Sequence, residues 1–192
     1  TAMPNKVVPY AVLGELTHRC PLQCPYCTNP LLLDRASEEL TTDVWKKVMD
    51  QSVHMGVLHF HFSGGEPTVR KDLEQLVDHA AKLGLYTNLI TSGVLLNEDR
   101  VRRLADLGLD HVQISFQDSD SEIGDWVAGR KGAHEKKKQV AAWFRNADLP
   151  LTVNAVMHRH NLHHLEKVIE MAVELDADRI AFDRCEQGHK EQ

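Results

Sequence analysis

Three of the four cysteines in this 192-residue chain, Cys20, Cys24 and Cys27, crowd together at the spacing Cys-x3-Cys-x2-Cys, and the fourth, Cys185, stands alone near the end. Such crowding suits a metal centre better than two disulfides. Pro21, Pro25 and Pro30 suppress helix across the segment, so a loop is expected that can wrap three sulfurs around one centre. A closed zinc site takes four ligands, and His18 or Cys185 could supply the missing one. A cubic four-iron cluster held by three thiolates instead leaves one iron open.

Tyr26, directly before Cys27, can stack its ring on a planar ligand beside such a metal. A second cluster of useful residues is Ser63-Gly64-Gly65-Glu66-Pro67, where two glycines let a ligand approach the backbone and a carboxylate suits an ammonium. The plain alternative is a tight turn with Glu66 stabilising the start of the next helix. Ser92, Ser115, Gln117 and Asn154 offer hydroxyl and amide groups suited to a ribose, a carboxylate or an adenine edge, and equally suited to buried hydrogen bonds within a sheet. His158, His160, His163 and His164 have the composition of a metal cluster but flank a helix start. Solvated or capping roles are expected for them, with His158 the one to test for an active-site role.

The elements that must position these residues follow from periodicity. Strands are expected at Tyr10–Leu16, Val57–Phe62, Tyr86–Thr91, His111–Phe116, Leu151–Val156 and Arg179–Phe182. Helices are expected at Asp43–Met55, Arg70–Leu83, Glu98–Leu107, Ala133–Asn146 and Leu162–Leu175, three of them closed by Gly56, Gly84 and Gly108. A complete eight-unit barrel takes about 250 residues, so this length accommodates about six units. The expected fold class is α/β, a partial (β/α)6 TIM-like barrel, with a flat doubly wound sheet as the alternative. In both, ligands bind beyond the carboxyl ends of the strands, where the cysteines, SGGEP, TSG and QDSD all fall. Gln113 and Ser115 alternate with Val112, Ile114 and Phe116 and are expected to face the barrel interior.

Composition narrows the function classes. There are 22 Lys+Arg against 28 Asp+Glu, a formal charge of −6, with 42% hydrophobic residues. This is the balance of one ordinary domain and argues against nucleic acid as a partner. Arg130, Lys131 and Lys136 to Lys138 are expected to form a solvated helix face. No apolar run approaches the roughly 20 residues of a membrane helix, and the first residues lack the features of a signal peptide, so the expectation is no membrane and a cytoplasmic setting. The start at Thr1 and the polar tail DRCEQGHKEQ leave open whether the chain is a segment of something longer.

The set Cys20, Cys24, Tyr26 and Cys27, followed by Gly64-Gly65-Glu66, resembles the motifs of the radical S-adenosylmethionine superfamily. The resemblance implies a 4Fe-4S cluster on Cys20, Cys24 and Cys27 and S-adenosylmethionine on its open iron. It further implies that Tyr26 flanks the adenine, that Gly64, Gly65 and Glu66 hold the methionyl amino group, and that Ser92, Ser115, Gln117 and Asn154 lie at cofactor-contacting positions.

Longer stretches, ELTHRCPLQCPYCTNP, FSGGEPTVRKDL, YTNLITSG, DHVQISFQDSD and NAVMHRHN, resemble the PqqA peptide cyclase family of pyrroloquinoline quinone synthesis over about residues 8 to 182. That resemblance implies reductive cleavage of S-adenosylmethionine to a 5′-deoxyadenosyl radical and the joining of a glutamate to a tyrosine in the PqqA precursor peptide. The peptide chaperone PqqD and an electron donor such as flavodoxin are the implied partners. The family also carries auxiliary iron-sulfur clusters in a C-terminal cysteine-rich domain. Here residues 1–182 are expected to form the radical domain and residues 183–192 a polar tail, with Cys185 too isolated to build an auxiliary cluster. Two alternatives stay open: another radical enzyme acting on a peptide or nucleotide, and a zinc-stabilised binding module. The residue acting as substrate acid or base is unassigned.

Overall fold

Phe60 and Phe62 of one strand, and Val112, Ile114 and Phe116 of another, are fully buried while the residues between them are only partly so. This period of two sends the apolar side chains toward helices and leaves a polar concave face. The computed structural model describes residues 8–27, 29 and 37–184. Its strands are β1 (Ala11–Glu15), β2 (His59–Ser63), β3 (Tyr86–Thr91), β4 (His111–Phe116), β5 (Leu151–Met157) and β6 (Arg179–Arg184). The helices are α1 (Thr42–His54), α2 (Leu73–Lys82), α3 (Glu98–Asp106), α4 (Ser121–Ala128), α5 (Ala133–Asn146) and α6 (Leu165–Glu174). All strands are parallel in the order β1-β2-β3-β4-β5-β6. An unbroken order with no switch point is that of a partial barrel and not of a doubly wound sheet. Among the described residues no helix is long and apolar enough to cross a membrane.

The core lies between the sheet and its helices, where Trp45 and Met49 of α1, Leu76 and Val77 of α2, Leu104 of α3 and Phe144 of α5 meet the strand phenylalanines. Gly56, Gly84 and Gly108 follow helix ends with positive φ, as expected. On the concave face a hydrogen-bonded chain crosses four strands. Thr152 Oγ1 lies 3.0 Å from His111 Nε2, His111 Nδ1 lies 2.7 Å from Asn88 Oδ1, and Asn88 Nδ2 lies 3.1 Å from His61 Nδ1. Burial lowers the pKa of both imidazoles, which agrees with neutral rings: His61 accepts from Asn88, while His111 donates to Asn88 Oδ1 and accepts from Thr152.

Three elements differ from expectation, one of them only in that α6 begins at Leu165 behind a 3-10 turn over Leu162–His164. Helix α4 has no counterpart in the sequence reading, because Gly124 in its middle reads as a breaker. The absent side chain eases close packing: a Cβ at Gly124 would stand 3.1 Å from His134 Nδ1 of α5, tighter than ordinary contact. The helix expected from Arg70 begins only at Leu73. The preceding residues form a 3-10 turn over Pro67–Val69, and Arg70 leaves the helix to donate to Leu16 O at 3.0 Å, Leu40 O at 3.1 Å and the Asp72 carboxylate at 2.7 and 2.9 Å.

Candidate active site

The cysteine loop follows β1 and is fastened to the turn after β2. Gly65 N donates to Thr17 O at 2.6 Å and Glu66 N to Arg19 O at 2.9 Å. A Cβ on Gly64 would fall 2.4 Å from Thr17 O, and one on Gly65 would fall 2.5 Å from His18 O. Gly64 also holds φ at 128°, a conformation that favours glycine. The chain itself thus makes a close backbone approach at these glycines, which sets the position of Cys20.

Cys20, Cys24 and Cys27 are free thiols, each partly buried on this loop. Leu22 N donates to Cys20 Sγ at 3.5 Å. Burial pushes the Cys20 thiol up to about 11 and also raises that of Cys24, with the neighbouring cysteines adding to both shifts. Thiolate formation here must therefore accompany metal binding. Among the described residues no three cysteine, histidine or carboxylate side chains are drawn together tightly enough to close on one metal ion. Cys185, Pro30 and the tail from residue 185 lie outside the described residues.

Glu66 is wholly buried and its carboxylate is a hub. Oε1 accepts from Thr68 N at 3.1 Å, Thr68 Oγ1 at 2.6 Å and Thr91 Oγ1 at 2.6 Å, while Oε2 accepts from Ser92 N at 2.7 Å and from the Ser92 hydroxyl. Five donors fill the lone pairs of a carboxylate. Both readings of Glu66 bear on this finding: it does cap the turn that follows, and it also ties the end of β2 to the end of β3. Ser92, one of the expected cofactor contacts, spends its hydroxyl hydrogen on that tie.

Gln117, just past β4, is similarly committed. Its Nε2 donates to the Tyr26 hydroxyl at 3.2 Å, its Oε1 accepts from the Lys137 ammonium, and its backbone oxygen accepts from Asn161 Nδ2 at 2.9 Å. Burial raises the Tyr26 pKa above the ordinary phenol value, and Cys24 adds to this, so Tyr26 is a neutral ring. Ser115 and Asn154 face each other in register across β4 and β5. Asn154 Nδ2 reaches Asp183 Oδ2 at 3.1 Å, and its Oδ1 is buried without a partner. The His158 ring lies tilted against Tyr26 at 5.3 Å between ring centroids, and its buried Nε2 has no partner among the described residues. His164 instead donates to the buried Asp118 at 2.8 Å, while His160 and His163 are exposed.

Two residues that shape the site were not singled out by sequence. Asn161, fully buried, donates also to Val156 O at 2.9 Å and accepts from His158 N at 2.7 Å, which clasps the ends of β4 and β5 together. Lys137 corrects the expectation of a solvated basic face: it is 1% exposed, with Gln117 as its hydrogen-bond acceptor. Burial pushes its pKa down to about 8 against the opposing pull of Cys24, Glu66 and Cys20. A buried ammonium has three donors, so this one is suited to an anion. The signal was present in the spacing, because Ala133, Lys137, Val140, Ala141 and Phe144 form one helical stripe, and all five are buried.

A family model described as the Radical SAM superfamily matches residues 15–172. The chain belongs to that superfamily. A 4Fe-4S cluster and S-adenosylmethionine are the cofactors that radical SAM membership implies, and it sets aside the zinc-stabilised module. The residues present fit them: three loop thiols with a neighbouring buried cation match an anionic sulfur centre and a ligand bearing a carboxylate. The PqqA peptide cyclase of Bradyrhizobium diazoefficiens is 63% identical over 173 residues, covering 90% of this chain and 46% of that protein. That of Rhodopseudomonas palustris is 64% identical with the same coverage. The chain thus spans about half the length of the curated relatives it matches. Among solved structures, Streptococcus suis SuiB bound to S-adenosylmethionine superposes with a TM-score of 0.85 at 21% identity, covering 95% of this chain and 42% of that one. Native anSMEcpe with bound AdoMet gives 0.78 at 23%, covering 96% and 54%. These likenesses establish the radical SAM partial barrel as the fold.

Proposed function

We propose that this chain is the radical domain of a PqqA peptide cyclase. The observation that carries the reading is the placement of two buried opposite charges, Glu66 and Lys137, beside the cysteine loop in a chain 63% identical to such a cyclase. Cys20, Cys24 and Cys27 would hold the cluster, with Tyr26 against the adenine. When bound, the cluster and S-adenosylmethionine together supply a one-electron reductive cleavage and a radical able to take hydrogen from a glutamate of the precursor peptide.

The chain's own contribution is to fix a zwitterion. Lys137 places its ammonium for the methionyl carboxylate, with Gln117 holding it in line with Tyr26. The backbone carbonyls of the Gly64–Gly65 turn serve the methionyl ammonium. Glu66, its lone pairs occupied, acts there by charge and by fixing the turn. Ser115 and Asn154 offer donors and acceptors for the ribose from the concave face. The neutral, buried surroundings of Tyr26 keep water from the reacting carbon. Residues 1–182 form this domain. In the whole protein the auxiliary clusters belong to a cysteine-rich domain, PqqD delivers the peptide, and flavodoxin supplies the electron in the cytoplasm.

Mass spectrometry of the whole protein after anaerobic reconstitution, with S-adenosylmethionine, dithionite, PqqD and PqqA, tests the reading. The expected product is a peptide lighter by two hydrogens, with a glutamate joined to a tyrosine. Formation of 5′-deoxyadenosine with an unaltered peptide would move the chain to a sister radical enzyme.

A further inference from the structure

Four rings run in sequence from the cysteine loop to the surface. Tyr26 and His158 lie 5.3 Å apart between centroids, His158 and His160 5.9 Å, and His160 and Trp126 5.1 Å edge to face. Trp126 belongs to α4, which follows β4, and the histidines follow β5, so the outer end of the line stands at the rim of the barrel mouth. There the indole is 63% exposed. Tryptophan is enriched where proteins bind partners and among the residues that contribute most to affinity. The helix that carries it is firmly seated: Asp120 caps α4 through Glu122 N and Ile123 N, and Gly124 allows close packing on α5. Beside it, exposed Arg159 donates from Nε to His160 Nε2 at 3.0 Å and forms no ion pair among the described residues. An indole face flanked by a guanidinium is complementary to an aromatic side chain with a carboxylate nearby.

We infer that Trp126 and His160 form the ledge on which an aromatic side chain of the peptide substrate rests, with Arg159 meeting an acidic neighbour. This rests on the peptide-cyclase reading above and deepens it, since the ring line leads from the ledge to Tyr26. The contact sets peptide affinity and takes no part in cofactor binding.

Fluorescence anisotropy of labelled PqqA on the cluster-loaded whole protein, with S-adenosylhomocysteine present, tests the inference. Trp126→Ala should weaken binding about tenfold and Trp126→Phe restore it to within about threefold. A peptide whose tyrosines are replaced by leucine should bind wild type and Trp126→Ala within about twofold of each other. Cluster absorption and S-adenosylhomocysteine affinity should not move. Unchanged affinity for PqqA in Trp126→Ala, or equal loss for both peptides, overturns the ledge. Dissociation of a dimer in that variant with peptide affinity unchanged assigns Trp126 to a contact between copies and overturns it as well. If wild type binds the cofactor analogue but no peptide, the peptide-cyclase reading itself fails, and the ledge with it.

Discussion

The ammonium of Lys137, on the buried stripe of α5, donates to the side-chain carbonyl of Gln117, whose amide group donates in turn to the hydroxyl of Tyr26 at 3.2 Å. A helix on the convex side of the sheet is thereby joined to the cysteine loop at its mouth. Lys137→Met keeps the packing and removes the charge. Loss of a charge-assisted contact should weaken S-adenosylmethionine binding roughly tenfold or more, while decarboxylated S-adenosylmethionine should bind both proteins alike. Equal loss for the two ligands would show that Lys137 acts only through packing.

The same substitution has a signed effect on stability. Lys137 has its folded pKa pushed down to about 8, so between there and its ordinary value the unfolded chain binds more protons than the folded one. The penalty for burying the ammonium is therefore complete below about pH 8 and is relieved as pH rises toward about 10.5. Metal-free Lys137→Met should be more stable than wild type at pH 7 in urea denaturation, and the gap should shrink through that window. A gap that widens with pH would contradict the assignment of Lys137 as a buried cation.

Glu66→Gln tests the hub. An amide offers one acceptor oxygen where five donors converge, and its NH2 group must face either Thr68 and Thr91 or Ser92. Destabilisation on the order of 3 kcal/mol is expected from urea midpoints, together with weaker cofactor binding. A variant as stable as wild type would mean that the turn does not depend on this carboxylate.

Much of this was legible in the sequence. The six strands were placed within two residues at either end, because buried parallel strands read as short β-branched and aromatic runs. The cysteine loop and the Gly-Gly-Glu turn were visible as types and spacing. What spacing alone did not convey was how these residues are used. The glycines serve a backbone 47 residues earlier, Glu66 serves Ser92, and Lys137 lies hidden within Lys136-Lys137-Lys138, a run that reads as solvated until its helical phase is counted. Helix α4 was missed because Gly124 obeys a tertiary demand from His134 that no local rule contains.

Gly65→Ala separates the turn's own role from ligand contact. A Cβ there would meet His18 O at 2.5 Å and Arg19 O at 2.7 Å, so the Cys20 end of the loop must shift. Cluster content after reconstitution should fall by half or more. Gly84→Ala, where a Cβ meets nothing within 4 Å, should leave it unchanged. Full cluster content in Gly65→Ala would show that the loop tolerates the shift.

The central claim is that Cys20, Cys24 and Cys27 hold a cubane whose chemistry the rest of the barrel mouth directs. Iron, labile sulfide and zinc measured per chain after anaerobic purification and reconstitution test it most directly. About four irons and four sulfides should be bound through the triplet, lost when any of the three cysteines becomes alanine and kept in Cys185→Ala. One zinc per chain with no sulfide, or a cluster that survives Cys24→Ala, would contradict it.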